Sequence, residues 1–136
     1  MMENEIARQV LDAAFAVHTK LGPGLLESVY EVVLAYELRK KKLTVERQRP
    51  MPIVYDGIRF NEAFRIDLLV NSKVIVELKS GESLSPLHAK QLLTQLRLGK
   101  LKLGLIINFG EAHLKHGIKR IISGTLEPED PPDSSL

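Results

Sequence analysis

Apolar residues change their spacing several times along the chain, and each change predicts an element. From Glu3 to Leu21 they recur at helical spacing, with Ile6, Val10, Ala13, Ala14 and Val17 on one face. Leu21-Gly22-Pro23-Gly24 ends that helix, because proline cannot continue it and glycine tolerates the turn. A second helix is expected from about Leu26 to Lys42, burying Leu26, Val29, Tyr30, Val33, Leu34 and Leu38. Leu43 to Gln48 and Met51 to Tyr55 read as short strands. Arg49-Pro50 and Pro52 restrict their pairing to a sheet edge or a strand start. Asp56-Gly57 is a hairpin turn signal before Ile58-Arg59-Phe60. A mostly antiparallel group of strands follows from this spacing.

Further on, Ser85-Pro86 predicts the start of a helix to about Leu98, with Leu92, Leu93 and Leu96 inward. The apolar run Lys102 to Phe109 fits a strand buried on both faces, and a right-handed crossover would set it parallel to the strand of Glu77. Gly104 within it permits a close backbone approach. A last amphipathic helix is expected from about His113 to Ile122, with Leu114, Ile118, Ile121 and Ile122 inward. Together these elements predict an α/β fold of the α+β kind, a mixed sheet flanked by helices.

The centre of the pattern is Phe64 to Lys79, two Ile-, Leu- and Val-rich strands joined by a tight turn. A two-residue turn at Asn71-Ser72 would leave neither sheet face clean. A three-residue loop, Asn71 to Lys73, or a one-residue bulge nearby, shifts the pairing by one. Ile66, Leu68, Val70, Val74, Val76 and Leu78 then form one apolar face. Asp67 falls opposite Glu77 on the other, with Arg65, Leu69, Ile75 and Lys79. The second register is the predicted one.

Asp67, Glu77 and Lys79 are charges where strands normally avoid them, and burying such groups without partners is costly. Two carboxylates on adjacent strands can share a hard cation, with oxygen ligands at about 2.0–2.1 Å for Mg²⁺. Lys79 follows Glu77 by two residues, so its ammonium emerges on the same face, roughly 6–7 Å along the strand. There it could orient or help deprotonate a water and stabilise charge on a phosphate. A salt-bridged edge hairpin, with Lys79 neutralising the acids, accounts for the same pattern.

Composition adds bounds. The 136 residues suit one domain, 1–124, followed by a Pro- and acid-rich tail, 125–136, that is expected to be disordered. Without cysteine there are neither disulfides nor thiolate zinc sites. No basic-then-apolar leader or membrane-length apolar run is read, so a cytoplasmic location without membrane association is the expectation. A net charge of +2 does not by itself imply nucleic-acid binding. The absence of Trp argues against a stacking platform for single strands.

Asp67, a spacer and then Glu77-Leu78-Lys79 resembles the D…(D/E)xK signature of the PD-(D/E)xK nuclease superfamily, with Ile66 where proline often precedes the aspartate. Gly24-Leu25-Leu26-Glu27-Ser28-Val29-Tyr30 looks like the motif of the GxxExxY family within it. The resemblance runs from about Ile6 to Ser123 and implies a restriction-endonuclease-like core. It implies that Asp67, Glu77, the Leu78 backbone carbonyl and Glu27 hold Mg²⁺ or Mn²⁺. Lys79 would position water, and Gln91 would complete the catalytic set. Gln95 stands where some related families carry tyrosine, which puts a tyrosine contact with substrate in doubt.

Other polar residues keep plainer readings. His18 makes a helix-end contact, Tyr30 packs or bonds to the site, and His88 lies at the surface or meets phosphate. Glu82 is a solvated loop position. Arg39 to Lys42, and Lys115, Lys119 and Arg120, are solvated faces or phosphate contacts. The implied function is metal-dependent hydrolysis of nucleic acid, with DNA the expected substrate and a homodimer left open. The alternative is a catalytically silent nucleic-acid-binding or assembly module.

Overall fold

The alternating strands around Asp67 form the middle of a five-stranded mixed sheet in the computed structural model, which describes residues 1–81 and 83–126. Glu82 and residues 127–136, assigned above to a loop and to most of the tail, lie outside the described residues. The elements in chain order are α1 (Glu3–Leu21), α2 (Glu27–Lys40), β1 (Val45–Tyr55), β2 (Ile58–Val70), β3 (Val74–Lys79), α3 (Pro86–Gly99), β4 (Leu103–Asn108) and β5 (Ile118–Ile122). Sheet order follows sequence order. Only β3 and β4 run parallel, because α3 carries the chain back between them.

Short strands predicted on either side of Arg49-Pro50 merge into β1, an edge strand with a register shift between Met51 and Ile53. An edge tolerates Pro50 and Pro52, neither of which can donate to a ladder. Asp56 and Gly57 close the hairpin with φ of 49° and 77°, the left-handed pair that two-residue turns require.

The β2–β3 loop is Asn71 to Lys73, and the pairs Val70↔Val74, Leu69↔Ile75 and Leu68↔Val76 match the predicted register. Both faces of the sheet are buried, however. Leu68, Val70, Val74, Val76 and Leu78 face α1 and α2, whereas Leu69 and Ile75 pack with Leu92 and Leu96 of α3. The face expected to carry Leu69 and Ile75 beside the charged residues is thus largely a second core. Ile66 joins Leu69 and Ile75 rather than Leu68, which corrects the unbroken apolar face expected above.

The predicted final helix is a further correction. Leu114–Gly117 forms one 3₁₀ turn, and Ile118–Ile122 is a strand paired antiparallel to β4. Gly117 lies so close to β4 that a Cβ there would stand 2.6 Å from the Asn108 carbonyl oxygen. The β-branched residues after it suit a strand and cover an otherwise open edge. Four apolar positions in nine residues fit either period, which is why spacing alone misassigned them.

The turns beyond β3 and β4 are locked together. Asn108, fully buried, accepts hydrogen bonds from the Gly81 and Gly110 N–H groups at 3.2 and 3.0 Å and donates to the Gly81 carbonyl at 3.3 Å. A Cβ on Gly110 would sit 2.4 Å from the Gly81 nitrogen. Gly110→Ala should therefore destabilise the protein by about 1–3 kcal/mol in urea unfolding, since backbone rather than a flexible side chain must move. Unchanged stability would show that this junction is not tightly packed.

Candidate active site

Asp67 sits where the central ladder opens. The paired residues of β2 and β3 end at Leu68↔Val76, and beyond them the Asp67 carboxylate takes over as a hydrogen-bond partner. Its Oδ2 accepts the Leu78 N–H at 2.9 Å. Position 48 of β1, opposite Asp67, also drops out of the ladder between Arg47↔Leu68 and Arg49↔Ile66. Gln48 there has φ 52°, an uncommon conformation for a non-glycine residue. Its amide nitrogen donates to Asp67 Oδ1 at 3.3 Å and to Glu31 Oε1 at 2.5 Å. The side reversal between Ile66 and Leu68 occurs at this interruption.

Helix α2 supplies the opposite wall. Its first residue, Glu27, follows a loop in which Gly22 and Gly24 take φ of 70° and 107°. Tyr30 fixes that loop from within: its hydroxyl donates to the Gly22 carbonyl at 2.5 Å and accepts the Leu25 N–H at 3.2 Å. The ring is fully buried and stacks on Phe109, with centroids 4.5 Å apart. Ser80 Oγ donates to the Leu25 carbonyl at 2.7 Å, joining the loop before Glu27 to the residue after Lys79. Tyr30 therefore packs in the core, one of the two roles expected for it, and its hydroxyl is buried as a brace for the loop rather than bonded to the site.

The result is an open pocket of about 410 Å³ lined by Glu27, Ser28, Glu31, Gln48, Asp67 and Leu78. Burial pushes the carboxyls of Asp67 and Glu77 above their usual range, and partial desolvation does the same at Glu27. Lys79 opposes the rise at all three, and at Asp67 the Leu78 N–H and the Gln48 amide oppose it more strongly. Repulsion among Glu27, Asp67 and Glu77 adds to it. These groups thus share one electrostatic neighbourhood, and a cation there would relieve both the burial and the repulsion.

Among the described residues, no three or more His, Cys, Asp or Glu side chains gather tightly enough to cage a metal. The donor set fits a cation that keeps several waters and takes one or two carboxylates, as Mg²⁺ does.

Gln91, like Glu77 and Lys79, does not line this pocket. It lines a different depression with Ile53, Ala63, Phe64, Thr94, Gln95 and Leu98, between α3 and the outer part of the β1–β2 hairpin. His18 donates through Nε2 to the Glu111 carbonyl at 2.8 Å, so the helix-end contact expected of it is present. His88 accepts the Ser85 N–H through Nδ1 at 3.1 Å, a capping contact for α3. Arg120 lies beside Asn4, Arg8 and Asp12 of α1, away from the acid pocket.

Glu31 and Gln48, whose side chains join to Asp67 through the Gln48 amide, escaped sequence reasoning. Glu31 lies one helical turn after Glu27, a spacing that puts both on one face and was a usable signal. Gln48 had none, because nothing in a polar strand residue announces a left-handed backbone.

A mixed sheet with a carboxylate at an opened ladder, an ExK strand beside it and an acid from a neighbouring helix defines a nuclease-type architecture. A family model described as the PD-(D/E)XK nuclease superfamily matches residues 4–121, and the chain belongs to that superfamily. Searches among curated proteins and among solved structures gave no match. Among the described residues no helix is long and apolar enough to cross a membrane.

A carboxyl whose pKa is raised by folding binds its proton more tightly in the folded state. Its contribution is therefore fully present below the ordinary carboxylate range and is lost as pH rises through the folded pKa. In metal-free buffer, Glu77→Gln should melt above the parent near neutral pH, and the difference should vanish below about pH 4. A variant that melts no higher than the parent at neutral pH would contradict this electrostatic account.

Proposed function

We propose that the chain is a divalent-metal-dependent nuclease of the GxxExxY type that hydrolyses phosphodiester bonds of nucleic acid, with DNA as its expected substrate. One observation carries the reading: Asp67, at the opened end of the β2–β3 ladder, bonds the backbone of the ExK strand and lies in a pocket with Glu27. Its superfamily membership supports nuclease chemistry in general.

Asp67 and Glu77, with the Leu78 carbonyl, would hold Mg²⁺ or Mn²⁺, and Glu27 would add a further acid directly or through water. When bound, the ion supplies Lewis acidity and charge neutralisation at the scissile phosphate. Lys79 orients the attacking water and offsets charge developing on the phosphate. The raised carboxyl pKa values make the empty pocket reluctant to carry its full negative charge, so proton release accompanies cation binding. Gln91 enters as a contact along the nucleic acid beside α3 rather than as part of the acid pocket.

The competing reading, a silent nucleic-acid-binding or assembly module, draws on the lack of a three-ligand cluster among the described residues. A cleavage assay with Mg²⁺ and Mn²⁺ on linear, circular and branched DNA and on RNA separates the two. Wild type should cleave, and Glu77→Ala and Lys79→Ala, both folded, should lose about 10²-fold or more of the rate. Cleavage by Glu77→Ala at the parental rate would rule out this assignment of the site.

A further inference from the structure

Gln48 combines three unusual features. It is a non-glycine residue at φ 52° within a strand, it lies opposite Asp67 at a gap in the β1–β2 ladder, and its side chain joins two carboxylates. A left-handed backbone at an ordinary residue is costly and persists only where the surroundings impose it. Here the surroundings are visible. Glu31 is almost fully buried, and its Oε2 is gripped by Arg47 through Nε at 3.1 Å and Nη2 at 3.0 Å. That paired grip keeps Glu31 an acceptor with fixed orientation. Its Oε1 takes one hydrogen of the Gln48 amide nitrogen, and Asp67 Oδ1 takes the other. With an anion on each side, the amide must present nitrogen rather than oxygen, so the bridge has a single sense.

We propose that Gln48 is a positioning residue that fixes the Asp67 carboxylate, with the Glu31–Arg47 pair as its anchor. The backbone twist at position 48 is what brings the amide between the two acids. Asp67 is then held through both oxygens, Oδ1 by Gln48 and Oδ2 by the Leu78 N–H. A carboxylate offers about four acceptor positions, so two donors leave capacity for a cation or a water while preventing rotation. Outer partners of this kind set ligand orientation, and their loss commonly costs 10–100-fold in metal affinity or activity. The inference rests on the reading of Asp67 as a cation ligand, but it concerns residues that the superfamily signature does not include.

The test uses Gln48→Gly and Glu31→Gln in the full chain. Glycine takes φ 52° without steric cost, so the backbone is retained and only the bridge is lost. Gln48→Gly should melt at or near the parental temperature yet bind Mn²⁺ about 10–100-fold more weakly by calorimetry, with kcat reduced and KM for nucleic acid close to parental. Glu31→Gln keeps the shape of the anchor but no longer dictates which end of the Gln48 amide faces it, and should show the same loss in smaller degree. Parental Mn²⁺ affinity in Gln48→Gly would overturn the proposal, as would parental affinity in Glu31→Gln if Gln48→Gly failed to fold. If the parent itself bound no Mn²⁺, the nuclease reading would fail. A crystal structure of Gln48→Gly would then decide separately: an Asp67 carboxylate turned away from the Leu78 N–H supports positioning by Gln48, and an unmoved one refutes it.

Discussion

The hydrogen bond from the Leu78 N–H to the Asp67 carboxylate joins the fold to its site. A strand that opened away from its neighbour would leave buried backbone donors without partners, at a cost of about 1–3 kcal/mol each. At Leu78 a side chain fills that need. The ladder can therefore end at Leu68↔Val76 without an orphaned group there, and the strands separate around a carboxylate that is half-buried and still accessible. An aliphatic residue at 67 would leave the donor unmatched, while a fully paired aspartate would have no capacity left for a ligand.

What surrounds this opening is fastened at three points. Tyr30 holds the Gly22–Leu25 loop from the core, Ser80 ties that loop to the end of β3, and Asn108 binds the Gly81 and Gly110 backbones. The Ser80–Leu25 and Asn108–Gly81 contacts cross between elements distant in sequence. Glu27 and Lys79 consequently approach the pocket from rigid ends of α2 and β3, in keeping with the need for a reactive site to be held by packed structure.

Much of this was legible in the chain, and the failures have physical causes. The β2–β3 register could be deduced because a one-residue slip would have mixed charge into the face that carries Leu68, Val70, Val74 and Val76. The parallel placement of β4 followed from its continuous apolar run after a helix. Parity failed at Ile66, because the β1–β2 ladder is interrupted at Gln48 and Asp67 and the strand changes side across that gap. Spacing failed at Ile118–Ile122, where five residues are too few to separate a helical from an extended period. The placement of Gln91 in another depression depends on how α3 lies across the β1–β2 hairpin, which local pattern does not encode.

The acids gathered at the opening are desolvated and repel one another, an arrangement that costs stability unless it serves a ligand of opposite charge. A crystal of the protein soaked in Mn²⁺, with anomalous diffraction used to place the ion, tests that claim most directly. The account predicts one anomalous peak bounded by the carboxylates of Asp67 and Glu77 and the Leu78 carbonyl, with oxygen distances of about 2.0–2.3 Å. A peak at the Glu31 carboxylate alone, or none in the pocket at saturating Mn²⁺, would contradict it.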